Sequence, residues 1–150
     1  MHFVSDMNAL EFYEALDYLA INCDTFSLVD SNIFRSGFSV HLPPIKKRLT
    51  YYLIDRKRVV SWAGTQILVR YENKKPIEHV YSCCKDSTQI LKKYYKSFFD
   101  IEYQMDISFF KSNQCVLFTI SHESILMVDL DFWKDFFDNT FCVLDKGKQG

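Results

Sequence analysis

An imidazole and a carboxylate are adjacent at His122 and Glu123, and this pair comes nearest to a reactive site in the chain. Histidine titrates near neutral pH and can transfer a proton, and a neighbouring carboxylate can orient its ring or share a metal ion with it. Ser124, Ile125 and Leu126 follow, so the sequence contains no HExxH zinc motif here. Adjacent residues of a strand point to opposite faces, so the two side chains can cooperate only in a bent turn. We favour a structural or surface turn over a catalytic or metal site.

The cysteines offer a second kind of reactive group. Cys83 and Cys84 precede a helix predicted to begin near Asp86, and a helix N-terminus stabilises a thiolate. A small hydrolase or metal-dependent enzyme would combine one of these thiols with His122 and Glu123. The five cysteines form neither a CxxC pair nor a zinc spacing, and no nucleophile motif surrounds them. We therefore expect reduced thiols, no cofactor, no metal and no catalysis, with the enzyme as the alternative interpretation.

The segment Lys46–Arg58 carries six basic residues around Tyr51 and Tyr52. Read as a helix, it places Lys47 and Tyr51 on one face. Such a face is either a solvated surface or a ridge that binds the phosphates of a nucleic acid. The sequence pI of about 6.4 is far below that of most nucleic-acid-binding domains. We favour the solvated surface, and nucleic-acid binding is the second alternative.

Acidic and aromatic residues are interleaved near the end of the chain. The members of this group are Asp129, Asp131, Trp133, Asp135 and Asp138. Such a patch suits a partner that is itself basic, for example a nuclease, because opposite charges speed and orient association. Charge is also segregated along the chain, since residues 1–34 hold six acidic and no basic residues while residues 35–75 hold ten basic and two acidic ones.

Trp62 stands in the stretch Ser61–Thr65, where Gly64 permits a positive φ or a close backbone approach. The indole either seals the core or anchors a partner at the surface. Core sealing is the interpretation we favour, and Trp62 remains a candidate contact. The complete set of candidate partner-binding residues is Asp129, Asp131, Trp133, Asp135, Asp138, Lys47, Tyr51, Trp62, His122 and Glu123.

Length and composition limit the class of protein. A chain of 150 residues fits one domain, 1–150, and 48% hydrophobic residues with 14 Phe, 9 Tyr, 4 Gly and 3 Pro argue for a packed core. No stretch approaches the roughly 18 uncharged apolar residues of a membrane span. The N-terminus lacks the basic start of a signal peptide. We expect a cytoplasmic protein without a membrane partner, with a disordered tail over 146–150.

Hydrophobic periodicity places the elements that must position these groups. Helices are predicted over 8–22, 43–54, 86–100 and 131–139, with Asp6 as the first cap and Pro43 and Pro44 starting the second helix. Strands are predicted over 25–29, 65–71 and 77–83, the last two as a hairpin, with a loop over 30–42 and a turn over 73–76.

A three-strand meander is predicted over 106–130, because three apolar runs are separated by short polar breaks. Its second turn carries His122 and Glu123. The element order predicts an α+β domain with an antiparallel or mixed sheet of five to six strands. Three to four helices should pack mainly on one face.

Four short pieces resemble a family of small uncharacterised bacterial proteins of about this length. The pieces are Cys23-Asp24-Thr25-Phe26, Ser61-Trp62-Ala63-Gly64-Thr65, Ile107-Ser108-Phe109-Phe110 and Ile120-Ser121-His122-Glu123. Members of that family often carry a tryptophan in the strand before the His-Glu pair, where this chain has Val116-Leu117-Phe118. The resemblance implies a bacterial source and a compact α+β fold. Small bacterial proteins of this kind are often immunity proteins of toxin systems, an analogy at the level of size and fold.

These observations favour a non-catalytic protein-binding module. Missing catalytic motifs, segregated charge and surplus aromatics are typical of an immunity or inhibitor protein that masks a toxin or other partner. The hydrolase and nucleic-acid alternatives stay open at this point, as does the identity of the partner.

Overall fold

The computed structural model describes residues 1–5, 7–30, 44–66 and 75–139. The strands in chain order are β1 (His2–Phe3), β2 (Thr25–Val29), β3 (Leu53–Arg58), β4 (Ser61–Trp62), β5 (Thr65–Gln66), β6 (Ile77–Ser82), β7 (Asp106–Lys111), β8 (Gln114–Ile120) and β9 (Ile125–Val128). The helices are α1 (Ala9–Asn22), α2 (Pro44–Arg48), α3 (Lys85–Tyr94) and α4 (Leu130–Asn139).

Seven of these strands form one sheet in the order β1-β9-β8-β7-β2-β6-β3, and β4 pairs with β5 separately. Every pairing among the described residues is antiparallel. The α+β class and the β7-β8-β9 meander are therefore confirmed, and the sheet is wider than the five to six strands predicted.

The central strand β2 alternates between two buried faces. Phe26 and Leu28 point to the side covered by helices, where the ring of Phe26 lies 5.3 Å from those of Tyr81 and Phe109. Phe98 continues this aromatic core, with its ring 6.2 Å from that of Phe109. Large rings in offset and edge contacts bury much area each, which explains why so many Phe residues suit so short a chain.

The helices lie side by side on this face, and polar contacts join neighbours. Tyr18 of α1 donates its hydroxyl to the Phe132 carbonyl of α4 at 2.5 Å. The Asp17 carboxylate of α1 lies 2.5 Å from Nζ of Lys92 in α3. Arg48 of α2 lies 4.7 Å above the Tyr94 ring of α3. The order across the face is therefore α4-α1-α3-α2.

A short hairpin, β4-β5, packs on the opposite face of the sheet. Val29, Val59 and Trp62 form a small second core there. Gly64 in the hairpin turn has a φ of +79°, and a Cβ added to it would lie 2.2 Å from a ring carbon of Phe118. Glycine is required at this turn by both its backbone conformation and the close approach.

The start of α1 follows the capping rules, but one residue later than predicted. Asn8, not Asp6, is the N-cap, and its side chain and that of Glu11 exchange hydrogen bonds with each other's backbone N–H at 2.9 and 3.1 Å. This capping box satisfies two backbone donors that would otherwise be unpaired. Asp6 itself lies outside the described residues.

The helix predicted over 43–54 is wrong beyond its first turns. The α-helix covers Pro44–Arg48, a 3-10 turn covers Thr50–Tyr52, and β3 begins at Leu53. The edge of β6 is available for pairing, and the sequence from Tyr51 to Ile54 is rich in strand-forming residues. Tertiary pairing therefore overrides the helical pattern, and the basic residues of 46–58 do not share one helix face.

Two further boundaries differ from prediction. The third helix ends at Tyr94, before the predicted end at residue 100. The chain turns after Tyr94, and the Tyr95 hydroxyl contacts Glu102 in that turn. Thr65 and Gln66, the described start of the hairpin predicted over 65–83, pair with β4, and β6 pairs with β2 and β3. Predicted features at 31–42, 67–74 and 146–150 lie outside the described residues. None of the described helices is long and apolar enough to cross a membrane.

Candidate functional site

His122 and Glu123 lie in the bent turn that cooperation would require. A 3-10 turn, Ser121–Glu123, joins β8 to β9 and ends at Ser124 in the left-handed conformation, with a φ of 55°. His122 Nε2 and Glu123 Oε1 are 3.8 Å apart, and the two side chains are 48% and 54% exposed. This open geometry supports a surface turn, because an exposed pair lacks the dry, enclosed setting of a catalytic acid and base.

Beneath this turn lies a buried carboxylate that the sequence did not single out. Asp106 is 1% exposed and accepts hydrogen bonds from Trp62 Nε1 at 2.9 Å and from the Ser121 backbone N–H at 2.8 Å. Burial raises the pKa of Asp106, while those hydrogen bonds and the nearby His122 oppose the rise. The carboxylate thus fastens the hairpin and the turn to the sheet.

Trp62 is therefore a core residue in this fold. Its indole is 8% exposed and its N–H is used internally. Trp133 in α4 is fully buried and donates its Nε1–H to the Val116 carbonyl at 2.8 Å. Neither candidate tryptophan is at the surface, so contacts with a partner must come from their neighbours.

Cys83 lacks the chemistry of a nucleophile. Its thiol is buried and donates to the Leu19 carbonyl at 3.5 Å. Burial raises the pKa of Cys83 strongly, and the neighbouring Cys23, Cys84 and Asp24 act in the same direction. The group stays a thiol at neutral pH, whereas catalysis needs a thiolate.

The structure also separates the cysteines from the histidine. Cys84 follows β6 at the end of the sheet where Thr25 lies. The His122 turn is fastened to Asp106, which pairs with Val29 at the opposite end of β2. Thr25 and Val29 bound a five-residue strand, a separation of about 13 Å along the sheet. The hydrolase constellation of histidine and cysteine is not assembled.

A groove of about 400 Å³ runs between α1 and α4. We call it the acidic groove, and its lining residues are Glu14, Asp17, Tyr18, Ile21, Asp135, Phe136 and Asn139. Ile21 is 83% exposed, so the groove presents a large aliphatic side chain to solvent. The pKa of Tyr18 is raised by burial first and by the charge of Asp135 second. The groove therefore combines negative charge with exposed apolar surface.

The predicted acidic patch is only partly continuous with this groove. Asp135 lines it, and Asp131 and Asp138 are exposed on the same helix. Asp129 precedes the helix and accepts hydrogen bonds from Gln114 at 2.5 Å and from the Asp131 backbone N–H at 3.1 Å. Of the four predicted aspartates, Asp129 is engaged in hydrogen bonds within the fold, and Asp135 is the one that lines the groove. Glu14, Asp17 and Ile21 complete the groove, and only the fold brings them to Asp135.

The far side of the molecule is basic. β3 lies at the sheet edge with every residue exposed, and it carries Arg56, Lys57 and Arg58. Lys47 is exposed on α2, and Tyr51 is 89% exposed. The charge of Lys57 acts on Glu78, which partly neutralises the edge. The two predicted contacts Lys47 and Tyr51 thus lie away from the acidic groove.

Four titratable residues distant in sequence meet beside this edge, and we call them the Lys46 cluster: Asp30, Lys46, Arg56 and His79. Lys46 is 7%, Asp30 8% and His79 4% exposed. Burial lowers the pKa of Lys46 to about 8, with Asp30 opposing and Arg56 reinforcing the effect. Burial also lowers the pKa of His79 to about 4, helped by Lys46 and Arg56 and opposed by the Ile77 backbone. His79 is therefore neutral at pH 7.

Sequence reasoning missed the Lys46 cluster and Asp106 for different reasons. The cluster is assembled by strand register, since Arg56 pairs with His79 across β3 and β6, and no local spacing reveals that. Asp106 carried a weak signal, a single acidic residue directly before the apolar run of β7. Within the described ranges, no group of three or more His, Cys, Asp or Glu side chains is placed to hold a metal ion.

Comparison with known proteins returned no match to a family model, to a curated protein or to a solved structure.

Proposed function

We propose that this protein is a non-catalytic binding module of the immunity or inhibitor type, which captures a basic partner protein in the acidic groove. The observation that carries the proposal is the exposed Ile21 set among Glu14, Asp17 and Asp135. Apolar surface supplies binding free energy when it leaves water, and flanking charge selects and orients the partner. A toxin is the partner class suggested by the analogy with small bacterial immunity proteins.

The charge of the two helices supports a basic occupant. α1 and α4 together carry the acidic residues Glu11, Glu14, Asp17, Asp131, Asp135 and Asp138 and a single basic residue, Lys134. Asp17 is already paired with Lys92, yet its side chain remains 57% exposed. The surface thus keeps a net negative charge that repels acidic partners and attracts basic ones.

The shape of the groove favours an amphipathic helix or a similar ridge. Two neighbouring helices form its walls, with Tyr18 and Phe136 in its lining. An amphipathic helix docks in such a groove through a few apolar anchors while its charged residues meet the rim. A lysine-rich helix with a leucine stripe is therefore the simplest probe of this surface.

The test is a titration of the full chain with a synthetic helical peptide of leucine and lysine, followed by amide resonances in solution. We expect the largest shifts in α1 and α4, and no saturable shifts with a leucine–glutamate peptide of the same length. Shifts centred on β3 or on the His122 turn would overturn the proposal, as would equal binding of both peptides.

A matched pair of variants tests the apolar part. Ile21→Ser removes the exposed anchor in the groove, while Leu10→Ser removes an aliphatic side chain of 58% exposure on the same helix outside it. Ile21→Ser should weaken peptide binding by about tenfold, as expected for one apolar anchor. Leu10→Ser should leave it unchanged, and equal losses in both variants would contradict a groove-centred site.

A further inference from the structure

The Lys46 cluster is built on the helix-covered face of the sheet, at the edge opposite the acidic groove. Arg56 and His79 are cross-strand partners, and Leu28 continues the same row on β2. Asp30 follows β2, and α2 brings Lys46 over the row, with Ile45 and Leu49 anchored in the core. Four separate segments thus place two cations, a carboxylate and an imidazole together.

The charges in this cluster do not cancel. Lys46 and Arg56 supply two positive charges and Asp30 one negative charge, while His79 is neutral at pH 7. Lys46 and Arg56 are close enough for each to disfavour the protonation of His79, and Arg56 disfavours that of Lys46. Like charges held together in a mostly buried setting are stabilised by an anion placed between them.

An imidazole nitrogen in the cluster lacks a hydrogen-bond partner. Nδ1 of His79 is buried without a hydrogen bond of ordinary geometry, and the Ile77 backbone is the one described hydrogen-bonding group that acts on the ring. Its ring stacks on Tyr81, with centroids 6.3 Å apart and planes 12° from parallel. A buried polar atom left unpaired costs free energy, so this nitrogen is a point where a ligand atom would add a missing contact.

The members of the cluster differ in exposure. Arg56 is exposed like the rest of β3, whereas Lys46 and His79 are buried. A guanidinium binds planar or tetrahedral oxyanions through paired hydrogen bonds, and an ammonium adds a compact positive charge.

We propose that Lys46, Arg56 and His79 form a binding site for a small oxyanion, the chemistry shared by a carboxylate and a phosphate group. Lys46 and Arg56 supply the charge, and His79 Nδ1 supplies a further hydrogen bond. The charge of Asp30 favours the protonated form of Lys46. This site is independent of the acidic groove, so either proposal can fail alone.

The test follows the ring resonances of His79 during titration of the full chain with sodium phosphate and, separately, sodium acetate, at constant ionic strength. We expect saturable shifts with at least one anion, together with a rise in the pKa of His79 because a bound negative charge favours its protonation. Saturation by phosphate alone identifies a phosphate group as the ligand. Saturation by acetate at equal or lower concentration identifies a carboxylate.

Matched variants distinguish a specific anion-binding site from nonspecific attraction of anions to the basic surface. Lys46→Met and Arg56→Gln should each weaken anion binding by about tenfold, the loss expected for one charge-assisted hydrogen bond. Lys47→Met and Lys57→Gln remove the same charge from neighbouring exposed positions and should have little effect. Arg56→Gln lies at an exposed position, so its result stands even if Lys46→Met destabilises the fold. Shifts that never saturate, or equal losses in all four variants, would overturn the proposal.

Discussion

Burial sets the protonation state of several single residues in this fold. His79 is neutral, the Cys83 thiol is protonated, and Asp106 has a raised pKa, each because a charge is unfavourable in a dry setting. These protonation states decide which groups can react or bind. The protonated Cys83 thiol is a poor nucleophile, whereas His79 Nδ1 has no hydrogen bond of ordinary geometry among the described residues.

His79 makes stability depend on pH. Its pKa is about 4 in the folded chain against a usual value of 6.5, so between these values the unfolded chain binds more protons. Stability should therefore be full above pH 6.5 and fall as the pH drops toward 4, by up to about 3 kcal/mol. The charges of Lys46 and Arg56 act on the imidazole, and the charge of Asp30 acts on Lys46. Urea unfolding of the wild type and of His79→Gln at several pH values measures the difference, and parallel pH profiles would contradict the expectation.

The Trp62–Asp106 hydrogen bond offers a second test at the scale of the residue. Trp62→Phe keeps most of the ring but removes the N–H that Asp106 accepts at 2.9 Å. Leaving a buried carboxylate with one donor fewer should cost about 1–3 kcal/mol. Urea unfolding at pH 7 measures it, and a loss below about 0.5 kcal/mol would show that the bond does not hold the hairpin.

At the scale of elements, the hairpin β4-β5 depends on one glycine. Gly64→Ala adds a Cβ where the Phe118 ring stands at 2.2 Å and where φ is +79°. We expect a loss of stability of about 2 kcal/mol or more, from strain and displaced packing. Ala63→Ser, at the preceding residue, is the matched control. Thermal unfolding compares them, and an unchanged midpoint for Gly64→Ala would contradict the docked position of the hairpin.

Sequence patterns predicted those elements whose local periodicity agrees with their tertiary setting. The β7-β8-β9 meander, β2 and α4 follow directly from apolar runs and polar breaks. β3 was not predicted. The helix predicted over 43–54 covers its first two residues, and the exposed residues 55–58 lack the alternation of a half-buried strand, so pairing with β6 decides the conformation. The Lys46 cluster could not be predicted, because strand register and the docking of α2 create it.

At the scale of the whole molecule, the described residues separate acidic from basic surface. The order α4-α1-α3-α2 puts the acidic helices α4 and α1 at one side and the basic α2 and β3 at the other. The net charge of −1 does not reveal this separation. The uneven distribution of charge along the sequence indicated it, but the fold determines where the charges lie. Such a field orients an incoming charged protein before contact and speeds its capture.

Polarity predicts how binding responds to salt. Association of the leucine–lysine peptide should slow as ionic strength rises from about 10 mM to 150 mM, because the Debye length shrinks from about 30 to 8 Å. Dissociation should change less, since apolar contacts of Ile21 persist. Stopped-flow kinetics at several salt concentrations test this, and an association rate independent of salt would argue against electrostatic capture.

The most direct test of the acidic groove compares two aspartates on one helix. Asp135 lines the groove, and Asp138 is exposed three residues further along α4 outside it. The dissociation constant of the leucine–lysine peptide should rise by about three- to tenfold in Asp135→Asn, the size expected for one charge pair at an interface rim, and stay near the wild-type value in Asp138→Asn. Equal constants for the two variants would contradict the groove as the binding site.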